Sequence, residues 1–214
     1  MKMPVLLSNT MTVKSNLCHQ VTSAYAEINK LLIMKKQSIR SLILTSIFAA
    51  IISVLAPITI PVGTVPITLS LFAVFLCGSL LPTAQAVMAT IVYITLGAIG
   101  LPVFSSYTGG FSVLTGVTGG FIWAYPLMAF SISLSVKIFK KRCALSLFTG
   151  ICIAIIICYT LGTFWFCYLT GNSLTTGITA CVLPFIVPDV IKAVAAASLA
   201  LGLDRFYVIN KKLT

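Results

Sequence analysis

Acidic residues are almost missing from this 214-residue chain, which has three, Glu27, Asp189 and Asp204, against fourteen Lys and Arg. Charged residues of both signs make up 8% of it and hydrophobic residues 59%, too few charges to cover a soluble globule of this size. The chain therefore reads as an integral membrane protein. Histidine occurs once, as His19 in a polar leader away from every acidic or cysteine cluster, which leaves it without a catalytic or metal role. The seven cysteines, Cys18, Cys77, Cys143, Cys152, Cys158, Cys167 and Cys181, form no C-x-x-C and lie mostly in apolar segments. They read as small packing residues rather than ligands or disulfides. Also missing are a Walker motif, a Ser-His-Asp or Cys-His set, H-E-x-x-H and an inverted repeat of broken helices. Neither ATP hydrolysis nor another enzymatic activity is expected of the chain, and neither a cofactor nor a metal.

The formal net charge of +11 would suggest nucleic acid in a soluble protein, but the basic residues sit in short clusters between long uncharged runs, the pattern of membrane loops. From residue 35 onward, Lys192 excepted, they form three groups: Lys35, Lys36 and Arg40; Lys137, Lys140, Lys141 and Arg142; Arg205, Lys211 and Lys212. If all three groups face the cytoplasm, each interval between them holds an even number of crossings. Pro and Gly breaks at "APITIPVGTVPIT", "GSLLPT" and "GAIGLPVFSSYTGGFSVLTGVTGG" leave apolar stretches at 40–57, 66–81, 83–100 and 117–136 in the first interval. The second holds 144–169 and 179–204, separated by "TGNSLTTG". The expected fold is an all-α integral membrane protein of six transmembrane helices with both termini cytoplasmic, multi-pass in the inner or cytoplasmic membrane. Residues 1–37 read as a cytoplasmic tail, with Met34, before "KKQSIRSLILTSIFAA", as an alternative translation start. Residues 38–206 form the membrane domain and 207–214 a second cytoplasmic tail.

Two features inside this frame carry chemistry. In "CVLPFIVPDVIKAVAAASLALGL" (181–203), Asp189 is the one carboxylate and Lys192 the one amine placed within the membrane. Three positions apart on a helix, they point into a common space. Pro188 suits a first helical turn, and an acid there meets the positive end of the helix dipole. At 1.5 Å per residue, Lys192 lies about 20 Å and Asp189 about 24 Å from Arg205 at the cytoplasmic edge, in the outer part of the bilayer. An unpaired charge near mid-membrane costs at least roughly 2.5–3.5 kcal/mol, and such residues usually mark a pathway or cavity. The alternative is a mutual salt bridge that braces helix packing. The second feature is the uncharged loop "GAIGLPVFSSYTGGFSVLTGVTGGF", where Thr-Gly-Gly-Phe occurs at 108–111 and again at 118–121, with Phe104, Tyr107, Phe111 and Phe121 as aromatics. By parity it is outside, as a lid of glycine backbone and aromatic faces over the Asp189 and Lys192 pocket; a plain outer hairpin with belt aromatics is the alternative. On the first helix Ser46 and Ala50, with Ala49 and Ser53, have small-xxx-small spacing, suited to internal packing or to partner docking. Ala193 with Ala197, and Ala196 with Ala200, repeat it in the last helix, where internal packing is expected.

"LGAIGLPVFSSYTGGFSVLTGVTGGF" (96–121), "LPFIVPDVIKA" (183–193) and "VPITLSLFAVFL" (65–76) together resemble the BioY family, the biotin-binding S components of energy-coupling factor (ECF) transporters, over nearly all of 38–205. The resemblance implies an S-component-like bundle of six helices that binds biotin near the extracellular side. It also implies uptake with a transmembrane coupling subunit and a pair of ATPases, or limited uptake by the S component alone. By position, the family's polar pair falls on Asp189 and Lys192: the acid would accept from a biotin N–H or hold Lys192, and the amine would donate to a biotin oxygen. The family's glycine loop falls on Gly97, Gly100, Pro102, Phe104, Gly109, Gly110, Gly119 and Gly120. Tyr93, Tyr107 and Tyr125 are neighbouring candidates for stacking or hydrogen bonding, and Ser46, Ala49, Ala50 and Ser53 fall where such subunits dock. Two departures stand out: Val117 replaces a proline usual before the second glycine pair, and Val187-Pro188 replaces the usual Pro-Gly before the aspartate. An S component for another vitamin, a small membrane enzyme and a structural membrane subunit remain the alternatives.

Overall fold

Pro57, Pro61 and Pro66, crowded into ten residues with one β-branched Ile-Thr pair between them and another directly after, cannot continue a helix, and here the chain forms the one non-helical element among its described residues. The computed structural model of the protein describes residues 39–60 and 65–213, with side chains as far as Asp204. The expected 1–37 tail and its alternative start at Met34 lie outside the described residues. The chain divides into two units, Met1–Ile43 and Leu44–Thr214; of the first, residues 39–43 are described and are helical. Helix α1 spans Ile39–Leu55. Strands β1 (Thr59–Ile60) and β2 (Ile67–Thr68) then pair antiparallel, Thr59 opposite Thr68 and Ile60 opposite Ile67. The described residues are mostly helical, as the expected all-α class has it, and this short hairpin adds to it, with extended Ile and Thr in place of the helix start expected at residue 66.

Helices α2 (Ser70–Leu80), α3 (Thr83–Ala98), a 3₁₀ turn at Ser105–Tyr107, α4 (Phe111–Thr115) and α5 (Gly119–Ile138) follow. Then come α6 (Ala144–Thr170), α7 (Leu174–Cys181) and α8 (Ile186–Leu213). Local chemistry explains the ends of α6. Cys143 and Ser146 cap each other's backbone at its start, and Gly171, at φ 67°, closes it in the left-handed conformation. The sixth expected stretch divides at 182–185, so α8 begins at Ile186 and Asp189 stands in its first turn, as Pro188 suggests. The chain expected as a tail at 207–214 continues α8 to Leu213.

Helix α5 is the central element, with buried residues spread along it from Gly119 to Ser135 while Trp123, Leu127 and Phe130 face outward. Against it lie α2, α3 and α6. The helices approach closely where side chains vanish: a Cβ on Gly78 of α2 would lie 2.9 Å from the Ile132 Cβ, and one on Gly150 of α6 2.9 Å from the Ile132 Cα. Helix α8 packs mainly along α2 with a stripe of Asp189, Lys192, Ala196 and Ala200, all buried, which Phe185 in the preceding turn extends. That stripe puts the two charged residues in register with the alanines of the packing face. The main core joins Phe48 and Ile52 of α1, and Ala56 just beyond it, to α2, α3, α5 and α6, and a second cluster of Val65, Phe166, Cys181 and Phe185 gathers the hairpin, α6, α7 and the turn before α8.

Three helical segments, Gly119–Ile138, Ala144–Thr170 and Ile186–Asp204, are long and apolar enough to cross a membrane. Helices α1, α2 and α3 are apolar but shorter. At 1.5 Å per residue, the 11 residues of α2 rise about 16 Å, half of a hydrocarbon core of about 30 Å.

Candidate functional site

The hairpin, α2, α3, α5, α6 and α8 converge on a cavity. Its apolar wall includes Ala56, Val65, Leu71, Phe121, Ile122 and Phe185. Its polar groups come from Thr68, Ser70, Tyr93, Tyr125, Tyr159, Asp189 and Lys192.

At one side stands the charge pair. The Lys192 Nζ donates to Asp189 Oδ1 at 2.8 Å, and the Tyr159 hydroxyl of α6 donates to Asp189 Oδ2 at 2.9 Å. Asp189 is 1% exposed and Lys192 8%, so burial would be costly for either charge alone. The carboxylate also lies in the first turn of α8, where the helix dipole favours it. Each carboxylate oxygen has one donor and keeps further acceptor capacity, and the ammonium keeps two N–H groups beyond the one it gives to Asp189.

A second polar wall runs through α2 and α5. The Tyr125 hydroxyl and Ser70 share a hydrogen bond of 2.7 Å, and Ser70 in turn pairs with Thr68 of β2. The Tyr93 and Tyr125 rings stack at 6.2 Å. No hydrogen bond to the Tyr93 hydroxyl occurs among the described residues.

The sequence-derived candidates divide into two groups. Asp189, Lys192, Tyr93 and Tyr125 line the cavity together. Phe104 does not: fully buried, it meets the Tyr93 ring edge-on at 5.6 Å and lies against Gly97, backing a wall residue instead of forming the wall. Tyr107 is 70% exposed, apart from the cavity lining. The glycines also stand outside the lining and shape the loop. Gly110, at φ 101°, donates its N–H to the Gly97 carbonyl at 2.7 Å, and Gly109 backs onto the Leu101 carbonyl. Gly119 lies against the Leu114 carbonyl and Gly120 against Trp165. The loop instead contributes Ser105 and Thr118 to the cavity, and Ser106 meets Thr59 of the hairpin through a 3.0 Å hydroxyl contact. Both tryptophans of the chain hold it: the Trp165 Nε1 donates to Gly116 at 3.0 Å and the Trp123 Nε1 to Leu114 at 3.2 Å.

On α1, the four small residues part company. Ser46 and Ala50 are on the exposed face, whereas Ala49 is buried and the half-buried Ser53 donates to the Ala49 carbonyl at 2.8 Å. In α8, Ala196 and Ala200 are fully buried and Ala193 and Ala197 pack against the same core.

Sequence reasoning missed Tyr159, Ser70 and Thr68. Tyr159 carried a signal: a phenol in the middle of a long apolar helix requires a partner for its hydroxyl. It likewise missed Arg142, which donates to Asp204 at 2.9 Å and to the Leu80 carbonyl at 2.7 Å, joining the turn before α6 to α2 and α8. No group of three or more His, Cys, Asp or Glu that could hold a metal occurs among the described residues.

A family model for the BioY family matches residues 28–208. The biotin transporter BioY of Thermotoga maritima is 40% identical over 169 residues, 79% of this chain and 98% of that protein. The biotin transporter BioY2 of Lactococcus lactis subsp. cremoris is 34% identical over 172 residues, 80% and 94% of the two chains. Among solved structures, the S component for biotin from an ECF-type ABC transporter superposes with a TM-score of 0.74 at 25% identity, covering 79% of this chain and 93% of that one. With its helical bundle and buried Asp189–Lys192 pair, the chain belongs to the BioY family.

Proposed function

We propose that this protein is a membrane subunit for biotin uptake, capturing biotin from the outside and delivering it inward without chemical change. The observation that carries the reading is the cavity itself: apolar walls for a thiophane ring and alkyl chain, with a buried ammonium and carboxylate at one side. Biotin combines an apolar body, ureido N–H donors, a ureido oxygen and a carboxylate, and a site of a few fixed polar groups in apolar walls suits such a molecule. Asp189 would hold Lys192 and accept an N–H, and Lys192 would donate to a biotin oxygen, with Tyr93 and Tyr125 alongside. Phe104, Tyr107, Gly109, Gly110, Gly119 and Gly120 would act through the shape of the outer loop. Biotin-transporter relatives and the solved biotin S component support this choice over another vitamin.

In this reading the chain is a multi-pass protein of the inner or cytoplasmic membrane, with six crossings, both termini cytoplasmic and the cavity toward the outside. The short α2 and α3 would be sunk among their neighbours. The sequence has no nucleotide-binding motif, so the energy would come from a transmembrane coupling subunit and ATPase subunits. Of the four small residues on α1, Ser46 and Ala50 are exposed for docking, and Ala49 and Ser53 would support them from within.

Calorimetric titration of biotin into the detergent-purified protein tests the core of the reading: saturable binding is expected, and none would refute it. Co-purification of a tagged chain with its partners tests the docking face. Ser46→Trp and Ala50→Trp should abolish partner recovery while leaving biotin binding intact; undiminished recovery would place the interface elsewhere.

A further inference from the structure

An ion pair formed within one turn of α8 is self-contained. It neutralises both charges, but it does not fix how they are placed relative to the cavity walls on other helices. A lysine stem has four carbons and a carboxylate turns about a broad torsion, so the two can move together without breaking their contact. Among the described residues, one side-chain hydrogen bond ties this pair to another helix, the Tyr159 hydroxyl of α6 on Asp189 Oδ2 at 2.9 Å. The Tyr159 ring lies in the cavity wall and packs into the outer apolar cluster with Val65, Phe121 and Phe185, so the phenol is anchored in elements other than α8.

We propose that Tyr159 is a positioning and specificity-determining residue of the ligand site, holding the Asp189 carboxylate in one orientation so that Lys192 presents its remaining N–H groups at a fixed place in the cavity. With Oδ2 occupied by the phenol and Oδ1 by Lys192, the remaining acceptor capacity of Asp189 and the two spare N–H groups of Lys192 form a donor and acceptor set of fixed spacing. Such a set selects a ligand that offers both kinds of group close together. Without the phenol, the set would lose its registration to α6 but not its charges. The inference rests on the biotin reading above.

The test is Tyr159→Phe, which removes one oxygen and keeps the packed ring. Calorimetry on the detergent-purified protein compares biotin, biotin methyl ester (altered at the carboxylate) and 2-iminobiotin (altered at the ureido oxygen). Biotin affinity should fall about tenfold, the scale of a hydrogen bond to a charged group. For the one analogue altered in the group that meets the Asp189–Lys192 pair, the loss should shrink to less than about threefold, because that contact is already broken and the two changes are not additive. Tyr168→Phe, at an exposed phenol outside the cavity lining, should leave all three affinities unchanged. Wild-type affinity for biotin in Tyr159→Phe would overturn the proposal. So would an equal loss for all three ligands together with a lowered melting temperature, which is the pattern of a packing residue. If the wild-type protein ignores biotin, the biotin reading falls and takes this inference with it.

Discussion

The Asp189–Lys192 pair could be a brace or a binding site, and comparing single with double substitution separates the two. Both groups are buried, at 1% and 8% exposure, so removing one charge strands the other. A buried pair broken on one side costs about 3–5 kcal/mol, whereas replacing both partners together is often close to neutral. For a chain of this length, where about 1 kcal/mol moves the melting temperature by roughly 2–4 °C, Asp189→Asn or Lys192→Gln alone should lower it by roughly 6–20 °C. The double variant Asp189→Asn with Lys192→Gln should recover most of that loss, since two neutral amides satisfy one another and an amide oxygen still accepts from Tyr159. Binding should not recover. Two hydrogen bonds to charged groups, at about 1.5–3 kcal/mol each, correspond to at least a hundredfold in affinity. Thermal unfolding with and without biotin reads both effects in one preparation: ligand at a hundred times its Kd stabilises the wild type by about 2.7 kcal/mol and should leave the double variant where it was. A double variant that binds biotin as the wild type does would make the pair a brace. Single variants as stable as the wild type would refute the argument from burial.

Three further outcomes are expected. Gly119→Ala places a methyl group against the Leu114 backbone carbonyl, which cannot yield as a side chain could, and should cost about 1–3 kcal/mol by overpacking. Gly202→Ala, with open space around it, should be neutral or stabilising by up to about 1 kcal/mol on helix propensity, and urea titration of both variants checks the contrast. Arg142→Gln frees Asp204 and the Leu80 carbonyl, but both charged side chains are about one-third exposed, so the ion pair itself is worth at most about 1 kcal/mol. Its melting temperature should fall by a few degrees with biotin affinity unchanged, and an affinity loss would refute a purely structural role. Hydrogen bonds from the Ser146 backbone and hydroxyl hold the Cys143 thiol below its usual range. Its thiolate should therefore form at lower pH than in a free thiol, and a membrane-impermeant maleimide should label it from the cytoplasmic side of inverted vesicles; labelling from the outside would overturn the parity topology.

Charge scarcity, the three basic clusters and the proline and glycine breaks made the helical segments legible, because each of those signals is local in the chain. The spacing of Asp189 and Lys192 was legible for the same reason: three residues on a helix share a face wherever that helix lies. The hairpin at 59–68 was less so, since its short strands are held by each other and not by a pattern within either. The glycine loop was recognisable as unusual, but proximity in sequence did not reveal that its glycines pack against backbone and tryptophan while Ser105 and Thr118 reach the cavity.

The sequence by itself determined a membrane-embedded chain with one carboxylate and one amine within an apolar segment, because hydropathy and the positions of charge are properties of composition and order along the chain. Tertiary structure alone decided the rest of the site. Tyr159 and Asp189 are thirty residues apart and Ser70 and Tyr125 fifty-five, and no periodicity within one helix encodes which phenol from another meets which oxygen. That choice is made where α2, α5, α6 and α8 pack, through close approaches such as Gly78 and Gly150 on Ile132 that set how the helices face one another.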